Sequence, residues 1–530
     1  MRFDVLIRHG LVVDGTGAPP LRADVGVVGE RISAVGNLRA ATAALEIDAA
    51  GRAVAPGFVD THAHSDMAWQ LPAEHAHVAS ATARQGVTTE VSGNCGFSPF
   101  PFLETHRRDM ERHMGTLFGP TPLGWDDLAG YTAAVRAAGL FCNLAPLVGH
   151  GSLRVGVVGF DDRPPTAEEL DAMSRLAEEA FEQGAFGVSS GLIYMPGVFA
   201  RTEELVALAR VARRHGRLYA SHIRGETDMV ADSVCEAIRI GAEADVPVHI
   251  SHHKVAGKRN WGRTEETLGI IHAARSAGSD ITVDVYPYTA GSTLLHAMLP
   301  PWAQEGGVPK MLERLRDGTV RDRIRRDFAE GPPGWENLQK AAGWEGIVIA
   351  TCPGERTVEG WSVAELGDEA RKVPADYVFD LLIAQEAHVT MILHMMQEAD
   401  VERVVGFEGA MIGSDGIPLP GKPHPRLAGT FSRILGRYVR EKRQLDLATA
   451  VRKMTGFPAE RFGLIDRGVI AAGKFADMVI FDPGTVLDRA TFAESLLPPA
   501  GVSDVFVNGT AVVRAEQLTG ARPGRVLTPR

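Results

Sequence analysis

Six side chains in this sequence could together grip a metal ion and put water to work: His62, His64, Cys95, His222, His252 and Asp415. His62 and His64 stand two apart at the end of the apolar run in PGFVDTHAHSD, residues 56–66. On a β-strand, residues two apart share a face, so both imidazoles point the same way. Spacing alone does not decide the matter, because His75 and His77 repeat it in LPAEHAHVASATARQG. That stretch reads as a helix, where positions i and i+2 do not share a face, and the pair is expected to be structural. Cys95 is flanked by Gly93 and Gly96, which let the backbone turn and aim the sulfur. Zinc accepts thiolate, imidazole and carboxylate, and a catalytic zinc keeps one position open for water. Cys95, His222 and His252 make a soft three-ligand set; His62, His64 and Asp415 are placed to hold or approach a second ion across from it. Cys142 and Cys235 lack such company and are expected to be packing residues, and Cys352 carries no assignment.

These residues need a scaffold that brings distant strand ends together. Eight apolar runs have the required form: GFVDTHAH (57–64), TTEVSGN (88–94), NLAPLVGHG (143–151), AFGVSSG (185–191), RLYASHI (217–223), VPVHISHH (246–253), ITVDVYP (281–287) and AMIGSDG (410–416). Helical stretches separate most of them. TAEELDAMSRLAEEAFEQG, residues 166–184, is amphipathic and stops at Gly184. Alternating strands and helices predict a (β/α)8 TIM-like barrel, whose chemistry sits at the C-terminal rim of the strands. Five of the eight strands end in His, Cys or Asp from the donor set.

Short strands punctuated by Gly and Asp fill both ends of the chain, which predicts a small β-sandwich domain built from residues 1–55 and 466–530 around a barrel at 56–465. The long gap between DVYPY and IGSDG predicts an inserted subdomain at 300–400, beside the barrel mouth and able to cover the site.

Composition excludes other classes. The net charge is −11 and the basic residues are scattered, so no nucleic-acid footprint is visible. No run approaches a membrane span, the N-terminal segment lacks signal-peptide architecture, and four cysteines in 530 residues are far from a disulfide framework. A cytoplasmic protein with reduced thiols is expected, acting on a small molecule, with a homo-oligomer left open.

GFVDTHAHSD, SGNCGFSP, SSGLIYMPG, SHIRGE, ISHHKVAG, DVYPYTAGST, MIGSDG, HPRLAGTFSR and GVIAAGKFADMVIFDP together resemble, in order, the motif series of the D-aminoacylases. These are N-acyl-D-amino-acid deacylases of the amidohydrolase superfamily. The resemblance runs from about residue 50 to 485 and is weakest at 300–400. It implies a zinc enzyme with one tight site at Cys95, His222 and His252 and a second, weaker site at His62 and His64. No lysine stands where many amidohydrolases carry a bridging carboxylated lysine, and Cys95 takes that place.

Amide hydrolysis needs a nucleophile, a polarised carbonyl and a proton for the departing nitrogen. Zinc supplies the first by lowering the pKa of its water to about 7. Asp415 is the expected shuttle, taking the water proton and passing it to the amine. Arg426 can fork around a substrate α-carboxylate. By resemblance, Lys254, Tyr286 and Ser292 surround that carboxylate and Tyr194 lies near the scissile carbonyl, where it could donate to the oxyanion. The alternatives are hydrolysis of an N-substituted formamide or cyclic amide, and a non-catalytic barrel scaffold. Arg426 and Lys254 argue against the first, and the complete donor set argues against the second.

Overall fold

The computed structural model describes residues 2–529. Eight parallel strands form its centre: β1 (Phe58–Asp60), β2 (Val87–Ser92), β3 (Asn143–Pro146, continued by Val148–Gly149), β4 (Gly187–Gly191), β5 (Leu218–His222), β6 (Val248–Ile250), β7 (Ile281–Val285) and β8 (Ala410–Ile412). All are buried along their whole length, as strands covered by helices on one side and closed on the other must be. Each pairs in parallel with the next, from β1 to β8. The ring closes where Ala63 bridges Gly416 and the Asp60 carboxylate accepts the Ser414 N–H at 2.8 Å. This is a (β/α)8 barrel.

The outer helices follow from local sequence. Ala167–Glu182 opens on a capping box in which Thr166 and Glu169 satisfy each other's backbone N–H groups. Gly184, at φ 112°, turns the chain back toward β4. A nine-stranded sheet draws strands from both ends of the chain: Arg2–Val12 pairs with Ala53–Pro56, which pairs in turn with Met478–Phe481. Ile7, Val25, Met478 and Ile480 share its buried core.

Between β7 and β8 the chain leaves the barrel. Ala290–Leu294, Thr390–His394 and Ile347–Thr351 form an antiparallel three-stranded sheet in that order. It has a core of its own, including Met298, Phe328, Ile347, Phe379 and Met391.

Two expectations are corrected. Residues 71–86 do not form one helix: Ala76–Ala79 is a single turn between 3-10 turns at Ala73–His75 and Ala83–Gln85. Ser80 bonds back to Ala76 O and the Thr82 hydroxyl is drawn off to Glu90, so the side chains that break the helix are the ones that tether the segment. Cys235 is exposed rather than packed. On its helix, Val230–Ala244, the inward residues are Val230, Val234, Ala237 and Ile240, and Cys235 falls outside that stripe.

Candidate metal centre and active site

The strand ends converge. His62 lies just past β1 and Cys95 just past β2, His222 ends β5, and His252 follows β6. His62 Nε2, His222 Nδ1 and His252 Nε2 lie 3.3, 3.5 and 3.5 Å from Cys95 Sγ. All four side chains are buried. His64 Nε2 stands 3.2 Å from Asp415 Oδ1, and His62 Nε2 lies 3.6 Å from the same oxygen. Among the described residues, three groups of donors come within reach of one ion: His62 with Cys95 and His252, His62 with His64 and Asp415, and His222 with Glu226 and His252.

Backbone geometry aims these groups. Cys95, His252 and Asp415 all occupy the left-handed region, at φ 54°, 35° and 50°. Non-glycine residues rarely sit there, and where they do the surrounding structure must hold them. Gly93 shows how tight the Cys95 loop is: at φ 74°, a Cβ on it would lie 2.1 Å from Leu147 O. The Asp66 carboxylate accepts the Gly93 N–H at 2.6 Å and fastens the loop from behind.

The donor set passes a fit test for zinc. A tetrahedral shell with about 2.3 Å to sulfur and about 2.05 Å to nitrogen has S···N edges of roughly 3.5 Å, which matches the spacing around Cys95. Burial pushes the Cys95 thiol up to about 11, although His252 pulls the other way. Burial likewise holds His222 well below its ordinary value, with His252 adding to the effect. A neutral imidazole and a buried thiol that a bound cation would deprotonate are what such a site requires.

Around the donors lies a shell of carboxylates that motif spacing did not single out. Glu226 Oε1 is 3.0 Å from His252 Nδ1 and also pairs with Lys254, so it can set the tautomer that turns His252 Nε2 toward Cys95. Asp284 accepts the His252 N–H at 2.6 Å and lies 3.6 Å from His62 Nδ1. Glu226 stands four residues beyond His222 in SHIRGE, and Asp284 two before Tyr286 on the same strand face; both spacings were available as signals. Glu336, from the segment between β7 and β8, accepts the Glu226 N–H and the Thr227 hydroxyl.

The remaining predicted residues surround Asp415. Arg426 Nη1 lies 2.8 Å from Asp415 Oδ2, not aligned as a hydrogen bond, while Nη2 donates to Ser292 O at 3.0 Å. Burial pushes the Asp415 carboxyl up, but Arg426 and His62 outweigh it and hold it well below the usual carboxylate range. Tyr286 presents its ring to two cations, Arg426 at 4.6 Å and Lys254 at 5.5 Å. Tyr194 packs edge-on against His222 at 5.1 Å and meets Thr293 Oγ1 at 2.8 Å through its hydroxyl. Burial keeps that hydroxyl protonated, far above its ordinary range. The candidate site residues named from the sequence therefore lie in one neighbourhood, Ser292 through its backbone carbonyl. His75 and His77 stay outside it.

Comparison with known proteins places the chain in a family. The model of a family described as "Amidohydrolase family" matches residues 45–513. A D-aminoacylase of Alcaligenes xylosoxydans xylosoxydans is 40% identical, over 99% of this chain and 97% of that protein. An N-acyl-D-glutamate deacylase of the same organism is 39% identical over 99% and 96%. The crystal structure of an N-acyl-D-glutamate deacylase from Bordetella bronchiseptica, complexed with zinc and a phosphonate mimic of the tetrahedral intermediate, superposes with a TM-score of 0.85 at 37% identity, covering both chains fully.

Proposed function

The chain belongs to the D-aminoacylase group of the amidohydrolase family, and from that premise we propose that it hydrolyses N-acyl-D-amino acids to a carboxylic acid and a free D-amino acid, using zinc. The observation that carries the proposal is the convergence of His62, His222 and His252 on Cys95, with Asp415 beside them and Arg426 behind Asp415. Cys95, His222 and His252 would hold the tight ion. His62 and His64 would serve a second, weaker one, in keeping with the one-metal activation and second-metal attenuation described for a D-aminoacylase of 39% identity. When bound, zinc supplies Lewis acidity and makes water nucleophilic near neutral pH.

The protein's own groups do the rest. Asp415, held ionised by Arg426, takes a proton from the attacking water on Oδ1 and returns it to the departing nitrogen. The Tyr194 hydroxyl donates to the oxygen that gains charge. Arg426, Lys254 and the hydroxyls of Tyr286 and Ser292 receive the α-carboxylate. Glu226 keeps His252 in its ligating tautomer through Nδ1. A formamide or cyclic-amide substrate would offer Arg426 and Lys254 no carboxylate to receive.

The terminal sheet and the barrel form the two principal units of this assignment, residues 1–55 with 466–530 and residues 56–465, and the segment at 300–400 serves as cover. Free cysteines support a cytoplasmic setting, and no helix among the described residues is long and apolar enough to cross a membrane. The substrate is a small molecule rather than a nucleic acid, in keeping with the acidic net charge of −11.

The test is to give the zinc-loaded protein paired N-acetyl-D- and N-acetyl-L-amino acids and measure released amine. Release from the D-forms only is expected; equal rates on both enantiomers, or none on either, would overturn the assignment.

A further inference from the structure

Inside the barrel, beneath the metal donors, one carboxylate faces two imidazoles. Thr282 and Asp284 are two apart on β7 and share a face, and His249 on β6 stands beside them in register with Thr282. All three are buried, His249 and Asp284 completely. His249 Nδ1 lies 2.9 Å from the Thr282 hydroxyl, and His249 Nε2 lies 2.6 Å from Asp284 Oδ2. His62 Nδ1 faces the same Oδ2 but from 3.6 Å, beyond hydrogen-bond reach. The other oxygen, Oδ1, accepts the His252 N–H at 2.6 Å. Nothing in the mechanism above uses His249.

The hydrogen bonds assign the tautomer of His249. With the Thr282 hydroxyl donating to Nδ1, Nε2 carries the proton and donates it to Asp284. Burial holds His249 below its ordinary value although Asp284 pulls it up, so a neutral ring with one donor and one acceptor is present near neutral pH. A carboxylate that accepts from the far nitrogen of a metal-bound imidazole strengthens that imidazole as a ligand. Asp284 is placed to do this for His62, whose Nε2 faces Cys95 and Asp415. His249 already occupies the oxygen that would serve.

We propose that His249 detunes His62: by holding Asp284 Oδ2 it withholds the carboxylate from His62 Nδ1 and keeps the second metal weakly bound. The proposal rests on the two-ion reading of the donor set given above. The arrangement has a use. An ion held by His62, His64 and Asp415 would take the Asp415 oxygen that has to accept the proton of the attacking water. A weak second site leaves that oxygen free. The tight ion draws on Asp284 through its other oxygen, which keeps the His252 backbone in place whether or not His249 is present. His249 is thus a positioning residue that acts through Asp284 and is not itself a metal ligand.

The test is zinc affinity at both sites, read by withdrawing zinc from the fully loaded protein with chelators of graded strength. His249→Leu removes the donor to Asp284. His249→Asn also removes it, since it is too short to reach Asp284, but keeps a polar partner for Thr282. Either change frees Oδ2, and a shift of about 1 Å or less then brings His62 Nδ1 into hydrogen-bond range. The second ion should bind about tenfold more tightly in both variants, with the tight site within about threefold of wild type. His249→Gln, which carries an N–H to about the place of Nε2, should restore the wild-type value. General damage at a buried position would loosen both sites, so a selective gain separates the proposed role from a merely structural one. His249→Asn carries the test if His249→Leu fails to fold. An unmoved or loosened second site, a gain that falls on the tight site, or a His249→Gln protein that behaves like His249→Leu overturns the role of His249. Hydrolysis of N-acyl-D-amino acids by the wild type alongside any of those results leaves the general assignment standing; a wild type that binds no zinc removes both.

Discussion

Two His-x-His pairs in one chain have opposite fates. The rings of His62 and His64 lie 5.3 Å apart and those of His75 and His77 lie 6.1 Å apart, so closeness does not separate them. Surroundings do. The first pair leaves the end of a barrel strand into a buried space with Cys95, Asp284 and Asp415 for neighbours. The second sits on short helical turns toward the surface, where His77 Nδ1 meets the Glu74 carbonyl. A donor pair gains chemical meaning from the strand end that carries it, because the barrel gathers strand ends at one rim.

This contrast can be broken at several depths, and the effects should shrink with distance from the rim. Asp415→Asn should retain zinc, measured by metal analysis, and lose kcat by about 10³-fold; near-normal turnover in a zinc-loaded sample would take the carboxylate out of the proton path. Glu226→Gln should weaken zinc affinity or activity by about 10- to 100-fold, read by competition with a chelator, because His252 loses its tautomer control. Unaltered chelator competition together with unaltered activity would show that the carboxylate shell is ornamental. Arg426→Lys should raise KM by about tenfold or more, since an ammonium cannot reproduce the planar fork, and unchanged kinetics would count against carboxylate capture. At the far end, the double change His75→Ala with His77→Ala should leave zinc content and kcat/KM within about twofold, as surface substitutions do. A measurable drop in bound zinc there would erase the distinction between the pairs.

Much of this site was legible in the sequence because it lies on regular elements. Period-two alternation and the residues at the ends of the expected barrel strands pointed to His62, His64, Cys95, His222, His252 and Asp415. The supporting shell was harder to see. Glu226 and Asp284 are single acids outside any donor motif, and the closed barrel turns them toward imidazoles. Glu336 reaches Glu226 from a segment more than a hundred residues away in the chain, at a distance that no local pattern encodes. The breakdown of a helix at 71–86 was hidden because Thr82 finds its partner, Glu90, only after β2 is in place. Cys235 was misplaced by judging it on its neighbours in sequence rather than on the face of its helix.

The left-handed corners at residues 95, 252 and 415 constrain anyone who wishes to retune the metal. Asparagine and aspartate tolerate that backbone and glycine adopts it freely, whereas valine, isoleucine and threonine resist it. A library at Cys95 meant to trade a thiolate for an oxygen donor should therefore draw on aspartate and asparagine and leave threonine out. At such corners conformation screens the candidate donors before affinity is ever measured.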